Sequence, residues 1–321
     1  MELRPLGDTD IRVSSISLGC WPMAGVTSPG ANDRDSIAAI RACFELGINH
    51  LDTAHVYGRK GESERLIAAA LGGRRDEMVI ATKAGLCWNE AGKIVNDGRP
   101  ESLRRQCEES LARLNTDRVE LLYLHSPDPR VPLSESAGEL KKLMEQGKTR
   151  AVGVSNVSLA QLQEFAAVCP IAAYQPPYNM LQRHIEADTL PWCRRHGVAV
   201  MVYWPLFKGL LAGKLARDHV FAENDNRRKY AAFNGDEWQR NQDFLDRLRE
   251  IARDAGATVA ALVVHWTISQ PGITSALCGA KRPDQIRETA AAGSLRLRPE
   301  HLARVEQALA ERGTPVRERT Y

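Results

Sequence analysis

The sequence predicts an α/β fold, a (β/α)8 TIM barrel with an N-terminal β-hairpin cap and extra C-terminal helices. Short β-branched runs alternate with amphipathic helices along the chain, which is typical of a parallel sheet. Eight such runs can be counted, the number that closes a barrel. A doubly wound open sheet is the alternative, but the first run is followed by Gly19-Cys20-Trp21-Pro22 rather than by G-x-G-x-x-G.

The strands are predicted from short apolar runs bounded by turn residues. Two runs at residues 3–6 and 11–13 surround Gly7-Asp8 and indicate the opening hairpin. The barrel strands are expected at residues 16–18, 49–52, 78–82, 119–124, 151–154, 172–174, 199–203 and 275–278.

The helices follow from apolar periodicity and from their start and stop signals. Gly47 is a typical helix stop, and Pro100 and Pro283 stand where a first-turn proline is tolerated. A long polar segment, residues 208–238, interrupts the repeat and is expected to be a functional lid. Helices are expected at residues 36–46, 63–71, 100–114, 134–146, 158–168, 185–196, 244–255, 259–269, 283–291 and 299–310.

The composition is that of an ordinary globular protein. A hydrophobic fraction of 43% in 321 residues is enough for a large core, and we expect one domain over residues 1–321. A net charge of +3 gives no reason to expect nucleic acid or an anionic membrane as partner. Seven cysteines without C-x-x-C spacing predict a reduced, cytoplasmic protein without disulfides, and no residue spacing predicts a metal site.

Polar side chains follow successive predicted strands, at the end of the barrel where active sites are built. We single out four of them as candidate catalytic residues: Asp52, Tyr57, Lys83 and His125. Singly, each has an ordinary structural explanation, such as a solvated lysine or a turn tyrosine. Four on the same rim favour a catalytic function. Ser155, Asn156, Gln175 and Tyr203 follow later strands.

The four side chains have complementary acid–base chemistry. A free tyrosine has a pKa of about 10, and a nearby ammonium such as that of Lys83 lowers it. Asp52 is the natural partner for the buried charge of Lys83. His125 can donate a hydrogen bond to a substrate carbonyl oxygen. A serine or cysteine nucleophile is not part of this set, which disfavours hydrolysis.

The segment Asn49-His50-Leu51-Asp52-Thr53-Ala54-His55-Val56-Tyr57-Gly58 resembles the signature of the aldo-keto reductase superfamily. The resemblance extends over nearly the whole chain, through Leu122-Tyr123-Leu124-His125, Gln175-Pro176-Pro177-Tyr178-Asn179 and Gly209-Leu210-Leu211-Ala212-Gly213-Lys214. It implies hydride transfer between a nicotinamide cofactor and an aldehyde or ketone. Tyr57 is then the general acid, tuned by Lys83 and Asp52, while His125 orients the carbonyl.

The resemblance also implies a shell of cofactor-binding residues. Ser155, Asn156 and Gln175 match positions that bind the carboxamide, and Tyr203 matches the aromatic side chain that stacks on the nicotinamide ring. Leu206, Gly209 and Leu211 match the loop that approaches the pyrophosphate, and Gly279, Ala280, Lys281, Gln285 and Glu288 match adenosine-side positions. The other cofactor-binding residues that the resemblance implies are Gly19, Cys20, Trp21, Asp52, Trp204, Pro205 and Thr289.

Lys281 and Arg282 lie beside the expected 2′-phosphate, which favours NADP(H), with NAD(H) as the alternative. Thr289 departs from the family pattern, since an adenine-binding asparagine is common there. A substrate pocket is expected among Trp21, Met23, Trp88 and Tyr178.

We expect a small-molecule carbonyl as the substrate; the sequence leaves the oligomeric state open. Two other functions stay open within the family. One is an NAD-dependent sugar or pyridoxal dehydrogenase, and the other is a slow-turnover regulatory subunit of the same fold.

Overall fold

A computed structural model describes residues 1–316 except Thr27, Pro29 and Asn224. Eight parallel strands close into a barrel, as the alternation of strands and helices predicted. Two further pairs of strands form small antiparallel hairpins outside it. In chain order the strands are β1 (Leu3–Pro5), β2 (Arg12–Ser14), β3 (Ile16–Gly19), β4 (His50–Asp52), β5 (Val79–Ala84), β6 (Leu86–Trp88), β7 (Ile94–Asn96), β8 (Val119–Leu124), β9 (Thr149–Ser155), β10 (Ala173–Gln175), β11 (Ala199–Val202) and β12 (Ile273–Gly279).

The barrel closes in sequence order, so that each strand pairs with the next and the last, β12, pairs with the first, β3. Gly279 at the end of β12 lies opposite Gly19 at the end of β3. The α-helices are α1 (Asp33–Leu46), α2 (Glu62–Leu71), α3 (Pro100–Leu114), α4 (Leu133–Glu145), α5 (Leu159–Ala166), α6 (Thr189–Arg195), α7 (Gly235–Asp254), α8 (Val259–Ser269), α9 (Pro283–Ala290) and α10 (Pro299–Arg312).

The period-two alternation of the strands separates two buried clusters. Outward-facing residues such as Leu51 and Leu122 join the large cluster between barrel and helices. Inward-facing residues such as Ala81, Leu121 and Met201 fill the barrel itself. The inward position that follows Ala81 on β5 is Lys83, so the same alternation carries a charged side chain to one mouth of the barrel.

The opposite mouth is covered by the β1–β2 hairpin, as predicted. Leu6, Ile11 and Val13 are buried and belong to the cluster that fills the barrel. This apolar plug leaves the mouth at the carboxyl ends of the strands for polar chemistry.

Three element predictions were wrong. The single helix expected at residues 185–196 is a 3₁₀ turn, His184–Glu186, followed by α6. The β6–β7 hairpin was not predicted, because its strands have three residues each and carry no long apolar run. Helix α7 begins at Gly235 rather than at residue 244, since its first turns are polar apart from Trp238. The segment expected as a lid contains three short 3₁₀ helices, Phe207–Ala212, Asn226–Lys229 and Ala231–Phe233.

No helix among the described residues is long and apolar enough to cross a membrane. Over the same part of the chain, His, Cys, Asp and Glu form no group of three suited to a metal ion.

Candidate active site

The four candidate catalytic side chains meet at the carboxyl mouth of the barrel. Asp52 ends β4, Lys83 lies near the end of β5, His125 directly follows β8, and Tyr57 lies in the loop after β4. Lys83 Nζ is 2.5 Å from Asp52 Oδ2 and donates to Tyr57 Oη at 3.2 Å. The ring of His125 lies 5.8 Å from that of Tyr57.

The ammonium of Lys83 is buried and has three acceptors. Besides Asp52 and Tyr57, it donates to the carbonyl oxygen of Thr53 at 2.8 Å. Burial lowers the pKa of Lys83, while the carboxylate of Asp52 opposes that shift. A buried charge held by three oxygen acceptors is fixed in position, and one of those acceptors is the phenol oxygen of Tyr57.

His125 is in its neutral form across the physiological range. Burial, and second the charge of Lys83, hold its pKa well below the ordinary value. Its Nδ1 is buried without a hydrogen-bond partner among the described residues, and its backbone N–H donates to Ala84 at 2.8 Å. A neutral imidazole carries one N–H, which suits it to donate to a carbonyl oxygen rather than to supply a charge.

A chain of hydrogen bonds connects the remaining strand-end residues to this group. The amide nitrogen of Gln175 donates to Asp52 Oδ1 at 2.8 Å, and Ser155 Oγ donates to the backbone oxygen of Gln175 at 2.8 Å. Tyr203 Oη donates to Asn156 Oδ1 at 2.8 Å, and Asn156 Nδ2 donates to the backbone oxygen of His125 at 2.9 Å. Gln175, Ser155, Tyr203 and Asn156 thus lie on the same rim as the four candidate catalytic residues.

The backbone is unusual where the candidate cofactor residues cluster. Five non-glycine residues have positive φ in the part of the chain that the structure describes. Four of them lie on this rim or in the loop after β11: Asn156 (58°), Trp204 (57°), Phe207 (41°) and Lys208 (53°). Such conformations are costly and concentrate at functional sites.

The start of α9 presents two adjacent cations. Lys281 is half-buried, and burial, together with the charge of Arg282, lowers its pKa. Arg282 is exposed and pairs with Asp284 at 3.0 Å. The Gln285 side chain accepts from the backbone N–H of Lys281 at 2.9 Å, which fixes the turn into the helix. Two neighbouring positive charges at a helix start are suited to an anion.

A family model, described as the aldo/keto reductase family, matches residues 15–310. The chain belongs to this family. Aldo-keto reductase YhdN of Bacillus subtilis (strain 168) is 37% identical over 291 residues, 89% of this chain and 87% of the relative. The NADH-specific methylglyoxal reductase of Escherichia coli (strain K12) is 32% identical over 312 residues, 92% of this chain and 95% of the relative.

A solved structure agrees over almost the entire length of this aldo-keto reductase. The glycerol dehydrogenase AKR11B4 from Gluconobacter oxydans has a TM-score of 0.90 and 35% sequence identity, covering 99% of this chain and 98% of that chain. The barrel predicted from the sequence is therefore confirmed both by its own strand order and by its relatives.

Two of the four predicted pocket residues of this aldo-keto reductase do not face the mouth. Met23 lies in the 3₁₀ helix Trp21–Ala24, and its side chain is buried in the large cluster between the barrel and the helices. Tyr178 is fully buried, with its ring stacked on Trp266 at 5.9 Å and its hydroxyl donating to Glu186 at 2.5 Å. The sequence could not show which side of the chain each would occupy.

The other two pocket residues lie beside Tyr57. The ring of Trp21 contacts that of Tyr57 edge-on at 4.9 Å. Trp88, at the end of β6, is half-buried and bonded to the loop that carries Tyr57.

Some of the cofactor residues expected from the resemblance have buried or already bonded side chains. Thr289 is buried, and its hydroxyl donates to the carbonyl oxygens of Gln285 and Ile286 in its own helix, so its side chain is not presented for adenosine. Glu288 is half-buried and pairs with Lys214 of the lid segment at 2.5 Å. Four other expected residues are buried in the structure: Cys20, Pro205, Leu211 and Ala280.

Sequence reasoning missed a link between the lid segment and the loop after β11. The Lys208 ammonium lies 3.6 Å from the ring centre of Trp204 and 4.4 Å from that of Tyr230. A cation between two aromatic rings attracts both. The only sequence signal is one lysine within reach of two aromatic residues in a polar loop, which is too common to predict the contact.

Proposed function

We propose that this chain is an NADP(H)-dependent oxidoreductase that reduces aldehydes or ketones to alcohols, with Tyr57 as general acid. In the oxidative direction Tyr57 acts as the base. One observation carries the proposal: the buried Lys83 ammonium is bonded both to Asp52 at 2.5 Å and to the phenol oxygen of Tyr57 at 3.2 Å. A hydroxyl beside a buried, oriented cation is suited to exchange a proton with a substrate oxygen.

Each of the four candidate catalytic residues has a separate role in the proposed reaction. Tyr57 gives its phenol proton to the carbonyl oxygen as negative charge develops there, and the Lys83 ammonium stabilises the phenolate that is left. Asp52 keeps Lys83 in place. His125, neutral at physiological pH, donates a hydrogen bond that aligns the same carbonyl oxygen.

The residues on the rim fit a nicotinamide cofactor. A reduced nicotinamide, when bound, supplies the hydride. Asn156 and Gln175 offer amide groups and Ser155 a hydroxyl, which suit a planar carboxamide, and Tyr203 offers an aromatic face. Gly209, with a φ of 89°, has no atom closer than 3.8 Å to where a Cβ would stand, so a phosphate could approach its backbone closely.

The preference for NADP(H) is supported by Lys281 and Arg282 at the start of α9, since two cations suit the additional 2′-phosphate. The test is a comparison of kcat/KM for NADPH and NADH, with methylglyoxal as the carbonyl. We expect NADPH to be preferred and the variant Lys281→Met to lose about tenfold with NADPH only. Equal or faster turnover with NADH would reject this preference.

The decisive experiment for the proton donor is Tyr57→Phe. We expect near-complete loss of carbonyl reduction, because the phenol proton is gone, while the dissociation constant of the cofactor changes little. Retained turnover in this variant would refute the assignment.

An NAD-dependent dehydrogenase acting on a sugar or on pyridoxal is the second candidate. Two observations favour its cofactor, NAD, over NADP: a relative is an NADH-specific methylglyoxal reductase, and Arg282 is already paired with Asp284. Oxidation of glycerol, suggested by the glycerol dehydrogenase with the same fold, should be assayed with both NAD and NADP.

A slow-turnover regulatory subunit of the same fold is the third candidate. A single-turnover hydride transfer far slower than cofactor exchange would favour it over a metabolic enzyme.

We also propose that residues 1–321 fold cooperatively as one domain and that the protein is located in the reducing cytoplasm. All seven cysteines are free in the structure, in keeping with a reducing compartment. Coincident unfolding curves by circular dichroism and tryptophan fluorescence would support one domain. Thiol labelling of the freshly isolated, unfolded chain should count seven reactive groups.

A further inference from the structure

Trp88 bonds to the backbone carbonyls of the two residues on either side of Tyr57. Its indole Nε1 donates to the backbone oxygen of Val56 at 3.0 Å and to that of Gly58 at 3.1 Å. One N–H shared between two carbonyls on the same short loop fixes the plane of the ring and the separation of the two peptides. An indole used in this way does more than line a pocket.

The backbone of Tyr57 itself is bonded within the loop and to α2. The N–H of Tyr57 donates to Ala54 at 2.9 Å, and its carbonyl accepts from Ser63 at 3.3 Å. The Tyr57 N–H and the Val56 carbonyl belong to one peptide group, which is therefore bonded to Ala54 through its N–H and to Trp88 through its oxygen. Trp88 also bonds the peptide group between Gly58 and Arg59. The loop is therefore bonded both to α2 and to the β6–β7 hairpin.

The hairpin that carries Trp88 is fitted closely to this loop. The guanidinium of Arg59 lies 5.1 Å from the centre of the Trp88 ring. Gly92, in the turn between β6 and β7, has a φ of 68°, and a Cβ there would lie 2.8 Å from Arg59 Nη2. The close approach of turn and loop explains how a half-buried indole reaches both carbonyls.

We infer that Trp88 is a positioning residue for the reaction, which acts through its N–H by holding the phenol oxygen of Tyr57 at the Lys83 ammonium. The inference rests on the proposed function, in which Tyr57 is the proton donor. A shift of about 1 Å in a reacting group can cost on the order of a hundredfold in rate. The 3.2 Å contact between Lys83 and Tyr57 is the distance that the indole bonds protect.

The test removes only the indole N–H. Replacing Trp88 by benzothienylalanine exchanges the N–H for sulfur in a ring of nearly the same shape, whereas the simpler variant Trp88→Phe also removes part of the ring. We expect kcat to fall about tenfold, and equally for methylglyoxal and for 4-nitrobenzaldehyde. KM and the cofactor dissociation constant should stay within about twofold of the wild-type values. The alkaline limb of the pH–rate profile for reduction should move to higher pH, because a more distant ammonium stabilises the phenolate less.

Other outcomes would reject the inference. A KM that changes with the size of the aldehyde, at constant kcat, would make Trp88 a pocket wall. A lower melting temperature with unchanged kcat and pH profile would make its role structural.

The control variant Arg59→Gln keeps both indole bonds and removes only the exposed charge beside the ring, so kcat should stay within about twofold of the wild type. Tyr57→Phe, measured alongside, separates the two proposals. If Tyr57→Phe retains turnover, the proposed function fails. If it is inactive while the benzothienylalanine variant has wild-type kcat, the proposed function stands and the positioning role fails.

Discussion

The Lys83–Asp52 pair couples stability to chemistry at the level of single residues. Both side chains are buried, so removing one leaves the charge of the other without its partner. We predict that Lys83→Met abolishes most turnover and lowers the free energy of unfolding by about 3 kcal/mol. Urea unfolding and steady-state rates measure the two effects.

The double variant Lys83→Met/Asp52→Asn separates those effects. With both charges gone, much of the lost stability should return, while turnover stays low because the ammonium is still missing. Recovery of turnover along with stability would contradict a direct role for Lys83.

Gly153 in β9 is required by the ring of Tyr123 inside the barrel. A Cβ at Gly153 would lie 2.4 Å from Tyr123 Cε1 and 2.9 Å from the carbonyl oxygen of Ala173. We predict that Gly153→Ala destabilises the protein by about 1–3 kcal/mol. The matched control is Gly138→Ala in α4, where a Cβ meets nothing within 4 Å and should stabilise by about 0.5–1 kcal/mol.

The sequence predicted the positions of charged strand-end residues better than those of apolar ones. Asp52 and Lys83 could be placed because a charge at the end of a buried strand has few stable locations other than the polar mouth. Met23 and Tyr178 could not be placed, because an apolar side chain is stable in either core, and its direction depends on a local turn.

At the scale of elements, the contact of Lys208 with Trp204 and Tyr230 joins the lid segment to the loop after β11. We predict that Lys208→Met accelerates cofactor release about three- to tenfold and increases proteolytic cleavage within residues 213–234, since a cation–π contact contributes about 0.5–2 kcal/mol. Stopped-flow fluorescence and limited proteolysis are the measurements.

The control for the lid is Lys229→Met, which removes the same charge from an exposed position of the same segment. Equal effects of the two variants would mean that net charge, rather than the aromatic contact, controls the lid.

Element prediction succeeded where periodicity was long and failed where structure depends on distant contacts. Helices α3 and α8 begin and end where the sequence indicated. Helix α3 has a continuous apolar face, and nearly all residues of α8 are apolar and buried. The β6–β7 hairpin has only three residue pairs, and nothing in its own sequence shows that it packs on the Tyr57 loop. That contact is visible only in the assembled barrel.

At the scale of the whole molecule, buried neutral histidines make the fold sensitive to acid. His50 is fully buried in β4, neither ring nitrogen has a partner among the described residues, and burial lowers its pKa to about 3. The unfolded chain binds a proton near pH 6.5, whereas the folded chain does so only near pH 3. Stability therefore does not depend on this group above pH 6.5 and decreases as the pH falls from 6.5 towards 3.

We predict that His50 alone lowers the free energy of unfolding by about 2 kcal/mol between pH 7 and pH 5. His50→Leu should remove that portion of the pH dependence, as measured by urea unfolding at both values. His219→Gln, at an exposed histidine, is the control and should leave the wild-type slope. A slope unchanged by His50→Leu would show that folding does not change the pKa of His50.

The pairing of β3 with β12 has a consequence for synthesis of the chain. The edge of the first barrel strand gains its partner only when residue 279 has left the ribosome, about 260 residues after that strand itself has emerged. Until then the nascent chain carries two open sheet edges, which are sites for chaperone binding and for aggregation. Since Gly19 and Gly279 lie side by side across this seam, these two candidate cofactor residues come together only in the finished protein. A chain truncated before β12 would lack both the closed barrel and a complete place for the cofactor.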